Sequence, residues 1–321
     1  MTDISPAPRP GLTRFAQRGS ARLAYEPTAR PTPGVPAIAL LHDLLADRSA
    51  LTPLRDLLTA GEAPSYRLVL PDIRGHGASA ALADRRYTLA DLAADLLAIL
   101  DAEAIARPHL VGHGLGGAVA VAFARRFPDR VRSLILIEPL LPGLLASDPA
   151  PSVRSVYDAA RDLSRVAADA SYKGLTDRAL DTVLNQRWGE GWRDRLPRPR
   201  LAAIRRHAGA LAPLLTAVDN DAPTAGDLHA VTAPTLIVQI DNARPAERLI
   251  AERLASWLPN AKLATIPAPS EPALPLAGES GTILAELIGA FLDRGATSPT
   301  GTSPPRVRSS ETAPDGRRNG T

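Results

Sequence analysis

The sequence predicts an α/β protein: a mostly parallel sheet flanked by helices, interrupted by a helical insertion. Three observations predict it. Up to about residue 140, short continuous apolar runs alternate with segments of helical period. A long stretch, 152–218, is rich in Ala, Arg and Leu and carries no strand pattern. The strand pattern then returns at 235–240.

The elements follow in order. Residues 37–41, 67–70, 109–111 and 134–137 are apolar runs of strand length, as expected for strands covered on both faces. Between them, 89–100 places Leu92, Leu96, Ile99 and Leu100 on one helix face and Asp91 and Asp95 on the other. The stretch 152–218 reads as several helices broken at Gly174, Pro197 and Pro213. After the strand at 235–240 come a helix over 245–258, a short strand at 262–266 and a final helix over 281–293. The expected division is a core of 12–140 with 226–293, an insertion of 141–225, and disordered tails at 1–11 and 295–321. The second tail, rich in Ser, Thr, Pro and Gly, has too little apolar area to offset its ordering entropy.

Composition narrows the function. With 321 residues and 45% hydrophobic content, the chain can bury a sizeable core. Of its net charge of +3, the stretch after residue 294 supplies +2, through four arginines against two acidic residues. The body is near neutral, so nucleic acid is not an expected partner. Zero cysteines exclude disulfides, thiolate metal sites and a Cys nucleophile. No cofactor or metal site is expected. No stretch reaches the roughly 18 apolar residues of a membrane-spanning helix, and the opening MTDISPAPRPG lacks a signal-peptide pattern. A soluble cytoplasmic protein is the expectation.

Three local signatures carry a resemblance. LLHDLLADRS at 40–49 is similar to a His-Gly loop after a third strand. PDIRGHGAS at 71–79 matches an Asp-x-Arg-Gly-x-Gly-x-Ser turn at Asp72, Arg74, Gly75, Gly77 and Ser79. LVGHGLGG at 110–117 follows a strand, opens a helix and resembles a nucleophile elbow, with Gly114 at its tip. In this order, over residues 12 to about 293, the chain resembles the α/β-hydrolase fold family of the capped, small-molecule type. The resemblance implies a helical cap inserted after the sixth strand, here 134–137. The glycines 112, 114 and 117, with Glu138 about 20 residues on, also suit a dinucleotide loop. The 72–79 turn and the insertion favour the hydrolase resemblance.

The resemblance also implies where a Ser-Asp-His triad would lie, and the residue types differ at each place. Gly114 stands at the nucleophile position and Asn242 at the acid position, beside Asp241. No histidine follows His229; Glu271 falls where the family's His is expected. Glu138 matches the position from which some relatives supply the acid. Leu44 and Leu115 would be the backbone donors of an oxyanion hole, with His42, Asp43 and His113 adjacent. An inward Asp43 carboxylate would weaken anion binding there. His207, on a helix of the insertion, is expected to face solvent.

Two functional expectations follow. One is an enzyme without a covalent intermediate, using Glu271, Glu138 and Asp241 as candidate carboxylates for water addition, elimination, isomerisation or cyclisation. The other is a ligand-binding or scaffold protein. Either would take a small, mostly apolar molecule, given the Leu, Ala and Val of the insertion with Tyr157, Trp188 and Trp192.

Overall fold

The computed structural model describes residues 11–28, 34–60, 66–79, 87–269 and 276–296. Within them lies an eight-stranded sheet: β1 (Arg14–Arg18), β2 (Ala21–Pro27), β3 (Ala37–Leu41), β4 (Arg67–Pro71), β5 (His109–His113), β6 (Ser133–Ile137), β7 (Thr235–Ile240) and β8 (Ala261–Ile266). Its order is β1-β2-β4-β3-β5-β6-β7-β8. β1 and β2 pair antiparallel, as do β2 and β4; every other pair is parallel.

The central strands are buried on both faces, which is why they read as unbroken apolar runs. Their side chains still alternate. Ala39, Leu41, Leu110, Leu134 and Leu136 enter one core with α2 (Leu89–Ala102), α3 (Leu115–Arg126) and α9 (Pro245–Trp257). Ile38, Leu40, Val111, Ile135 and Ile137 enter the other, with α1 (Thr52–Leu58) and α10 (Gly278–Ala296).

Sequence reasoning missed β1 and β2. They form a hairpin in which Arg18 pairs with Ala21, leaving Gly19 and Ser20 as the two-residue turn, with Gly19 at φ +57°. That Gly-Ser turn between alternating residues was the available signal. The expected tail start at 295 is also corrected: residues 295 and 296 belong to α10. Residues 1–10 and 297–321 lie outside the described residues.

Between β6 and β7 the chain runs through α4 (Pro151–Tyr172), α5 (Thr176–Trp188), α6 (Arg198–His207) and α7 (Leu211–Asn220), followed by the short α8 (Ala225–His229). Gly174 and Pro197 fall between helices, as expected. Pro213 does not break one: it sits in the first turn of α7, where its missing N–H costs no intrahelical bond. These helices form their own apolar cluster around Leu180, Leu184, Trp192, Ile204 and Leu211. Trp192 is buried there, its indole N–H donating to Asp181 at 3.1 Å.

Candidate active site

The turn from β5 into α3 pivots on Gly114, at φ +53° and ψ −113°. Its N–H donates to the Ile137 carbonyl at 3.0 Å, and its own carbonyl accepts from the N–H groups of Gly117, Ala118 and Leu140. The turn is tight enough to require glycine nearby. A Cβ on Gly112 would lie 2.3 Å from the Gly116 oxygen, and one on Gly116 would lie 2.3 Å from the Leu41 oxygen.

The space in front of Gly114 is filled from another loop. A Cβ built on Gly114 would stand 1.8 Å from Oδ1 and 2.2 Å from Cγ of Asp43, the second residue after β3. Oδ1 accepts the Leu115 N–H at 2.8 Å, and the nearby Leu44 N–H also favours the ionised carboxylate. Its Oδ2 is paired with Arg187 of α5 at 2.5 Å. Burial alone would raise the Asp43 pKa. Arg187, His113 and the two N–H groups outweigh it and hold the carboxyl at about 2. Asp43 thus points inward, fully ionised, onto the two backbone donors.

His113, also buried, has its Nε2 3.4 Å from Arg187 Nη2; burial pushes its pKa down to about 4, so it is neutral. His42 turns away from Gly114. Its Nδ1 meets the Asp43 carbonyl at 2.8 Å and its Nε2 accepts the Ile73 N–H at 2.9 Å, a pattern that assigns the proton to Nδ1.

Beside this cluster opens a cavity of about 400 Å³. Leu44, Gly114 and Glu138 line its floor; Val156, Ala159, Ala160, Leu163 and Val183 supply apolar wall; Arg187, Arg244 and Glu247 complete a polar end. Tyr157, Trp188 and Trp192, expected at the pocket, are not among its lining residues. Glu138 directly follows β6. It is a non-glycine residue at φ +42°, a conformation costing about 1 to 3 kcal/mol that surrounding structure must hold. Its N–H donates to the Val238 carbonyl at 3.0 Å, while its buried Oε1 has no hydrogen-bond partner among the described residues. Burial, reinforced by Glu247 and Asp43 against the opposing Arg187 and Arg244, raises its pKa to about 7. Glu247 goes the other way. Burial would raise it, but Arg244, bonded through both its guanidinium and its backbone N–H, keeps it lowered.

The strand order and this turn can be compared with known proteins. The family described as alpha/beta hydrolase fold matches residues 54–165, a span from α1 through β5, Gly114 and α3 into α4. An alpha/beta hydrolase from a Medee basin deep-sea metagenome library superposes with a TM-score of 0.71 at 15% identity, over 87% of this chain and 97% of that one. The chain has the α/β-hydrolase fold. The enol-lactonase of Burkholderia xenovorans LB400 gives this α/β-hydrolase-fold chain a TM-score of 0.66 at 23% identity, over 87% of it and 100% of the lactonase. Two curated relatives are a putative carbamate hydrolase RutD of Variovorax paradoxus and a 2-hydroxymuconate semialdehyde hydrolase of Pseudomonas putida. The first is 48% identical over 25% of this chain and 29% of its own length. The second is 28% identical over 61% and 67%. The chain thus spans under a third of the first relative's length.

Of the residues singled out from sequence, this α/β-hydrolase fold brings Leu44, Gly114 and Glu138 to the cavity and packs Asp43, His113 and Leu115 around them. It does not bring Asp241 or Asn242. Both are exposed after β7, and the Asp241 carboxylate accepts the Ala268 N–H at 3.1 Å instead. Glu271 lies outside the described residues. His207 is buried rather than solvent-facing: its Nε2 accepts the Gly77 N–H at 3.1 Å and lies 3.5 Å from Asp47 Oδ2. Sequence reasoning missed Arg187, Arg244 and Glu247. Arg187 gave no signal, since all but two of the chain's 37 basic residues are arginine. The Arg-Pro-Ala-Glu run at 244–247 did carry one: Pro at the first helical turn, with a Glu placed to reach back to the helix start.

Proposed function

We propose that this α/β-hydrolase-fold protein is a non-covalent acid–base enzyme acting on a small, mostly apolar molecule, with Glu138 as the proton-transferring group. One observation carries the reading: a buried carboxyl, one oxygen of which has no partner among the described residues and whose pKa is raised to about 7, lines a mostly apolar cavity beside Gly114. In its protonated form Glu138 donates to a substrate oxygen or leaving group, and in its ionised form it withdraws a proton from carbon or water. The apolar wall keeps competing water from the transfer. Water addition, elimination, isomerisation and cyclisation all fit this single-carboxyl chemistry.

A covalent acyl-enzyme is not part of the proposal. Gly114 offers no nucleophile, and the Leu115 N–H that could receive an oxyanion already holds Asp43, while the Leu44 N–H also favours that carboxylate. The division into a core of 12–140 with 226–293 and a cap of 141–225 belongs to this reading: Glu138 comes from the core and the apolar wall from the cap.

The test is mass spectrometry of a metabolite extract incubated with the native protein and with Glu138→Gln. A compound consumed by the native protein and spared by the variant supports acid–base turnover, and its mass change names the reaction. Consumption that survives Glu138→Gln sinks the mechanism. A second reading, a ligand-binding protein without turnover, is favoured by Asp43 occupying the Leu115 backbone donor. Its signature is a compound retained by the protein and never consumed.

A further inference from the structure

Four charged side chains act on Glu138 at the polar end of the cavity, while Arg200 lies beyond them, against Asp43 and Arg187. Asp43 comes from the loop after β3, Glu138 from the end of β6, Arg187 from α5, and Arg244 with Glu247 from the start of α9. Arg187 is paired with Asp43, and Arg244 with Glu247. The two pairs cancel in charge and engage their own hydrogen-bonding groups. Glu138 is left over, 8% exposed, with no partner for Oε1 among the described residues. Once ionised, it is, among the described residues, the charge at this end of the cavity that neither ion pair compensates.

We infer that the cavity binds a small primary amine with an apolar body, its ammonium group seated on the Glu138 carboxylate and its body against the wall of Val156, Ala159, Ala160, Leu163 and Val183. The inference rests on the reading of Glu138 as the functional carboxyl and adds the class of ligand. An anionic ligand would face three carboxylates and two guanidinium groups already engaged. A neutral ligand would leave an ionised Glu138 in apolar surroundings without a counter-charge. An ammonium supplies that charge and donates to the carboxylate where Glu138 lines the cavity, and the cavity volume suits a molecule of this size.

Calorimetric titration of the full chain with n-hexylamine, 1-hexanol and hexanoate, at pH 6 and pH 8, tests this. Hexylamine stays charged throughout, whereas Glu138 passes from mostly protonated to mostly ionised. The amine is therefore expected to bind about tenfold more tightly at pH 8, and to release close to one proton to buffer on binding at pH 6. Hexanol and hexanoate bind at least tenfold more weakly at pH 8. Glu138→Gln, its folding verified by thermal unfolding, loses the pH dependence and most of the amine affinity. Tighter binding of hexanol or hexanoate, equal amine affinity at both pH values, amine binding undiminished in Glu138→Gln, or no binding of any of the three would each overturn the ligand class. Failure here leaves the acid–base reading standing wherever an extract metabolite is still consumed in a Glu138-dependent way. Amine binding without any consumption would instead refute turnover while upholding the ligand.

Discussion

Asp43 occupies the volume that a side chain on Gly114 would need: Oδ1 stands 1.8 Å from the position of a Cβ there. The two residues, 71 positions apart, therefore constrain one another. Gly114→Ser is expected to destabilise the protein by about 2 to 4 kcal/mol, combining overlap with the carboxylate and the cost of positive φ. Asp43→Gly is destabilising for a different reason, because it strands Arg187. In urea unfolding the double variant should be less destabilised than the sum of the two singles by at least about 1 kcal/mol. Strict additivity would mean that the overlap is relieved by a shift of backbone.

The Asp43 carboxyl makes stability depend on pH at the acid end. Its pKa falls from the ordinary 3.8 to about 2 in the fold. A depressed acid contributes stability that is complete above the unfolded value and lost as pH drops through the folded one. That is about 2 kcal/mol, disappearing between pH 4 and 2. Asp43→Asn should be less stable at pH 7, with Arg187 lacking its counter-charge, and should show a shallower decline over that window. Parallel stability curves for the two proteins below pH 4 would disprove the assignment.

Glu138 has the opposite sign. Its folded pKa of about 7 lies above the ordinary 4.5, so ionisation favours the unfolded chain as pH rises between those values. At pH 8 the ionised carboxyl costs about 3 kcal/mol relative to pH 4.5. Glu138→Gln should therefore be more stable than the native protein at pH 8 and nearly equal to it at pH 4.5, by denaturant unfolding at both. A variant less stable at pH 8 would show that Glu138 is a structural residue. Glu247→Gln, by removing a neighbouring negative charge, should lower the Glu138 pKa, which the carboxylate bands of the infrared spectrum would report.

The uneven legibility of this site has a physical basis. Gly114, Leu44 and Leu115 could be placed because a sharp strand-to-helix turn constrains residue type over a few consecutive positions. Glu138 could be placed because it follows a buried strand directly. Asp43 was recognised as adjacent, but whether its carboxylate turned inward depended on Arg187, 144 positions away on a helix whose own pattern specifies only its buried face. Asp241 was misjudged because a carboxylate beside a strand end serves backbone N–H groups as readily as a site, and here it takes that of Ala268. β1 and β2 escape such reading because β1 is mostly exposed or half-buried, and β2, though largely buried, interrupts its apolar residues with Arg22, Glu26 and Pro27, so neither shows the unbroken run of the central strands.

The three histidines behind the site give the last prediction. The rings of His42, His76 and His207, drawn from the β3 loop, the 72–79 turn and α6, pack edge-to-face and tilted, with centroids 5.0 and 5.2 Å apart. Each uses Nε2 to accept a backbone N–H: Ile73 for His42, Leu45 for His76, Gly77 for His207. Only the neutral ring can accept there, and burial lowers all three pKa values. A base whose folded pKa is depressed contributes stability present above its unfolded value, about 6.5, and lost as pH falls below it. The protein should therefore lose stability steadily from pH 7 to pH 5, with hydrogen exchange rising first in the 72–79 turn and α6. His207→Gln retains an acceptor for the Gly77 N–H but cannot be protonated in this range. It should flatten that slope at the expense of about 1 kcal/mol at pH 7. A slope identical to that of the native protein would remove His207 from the acid response.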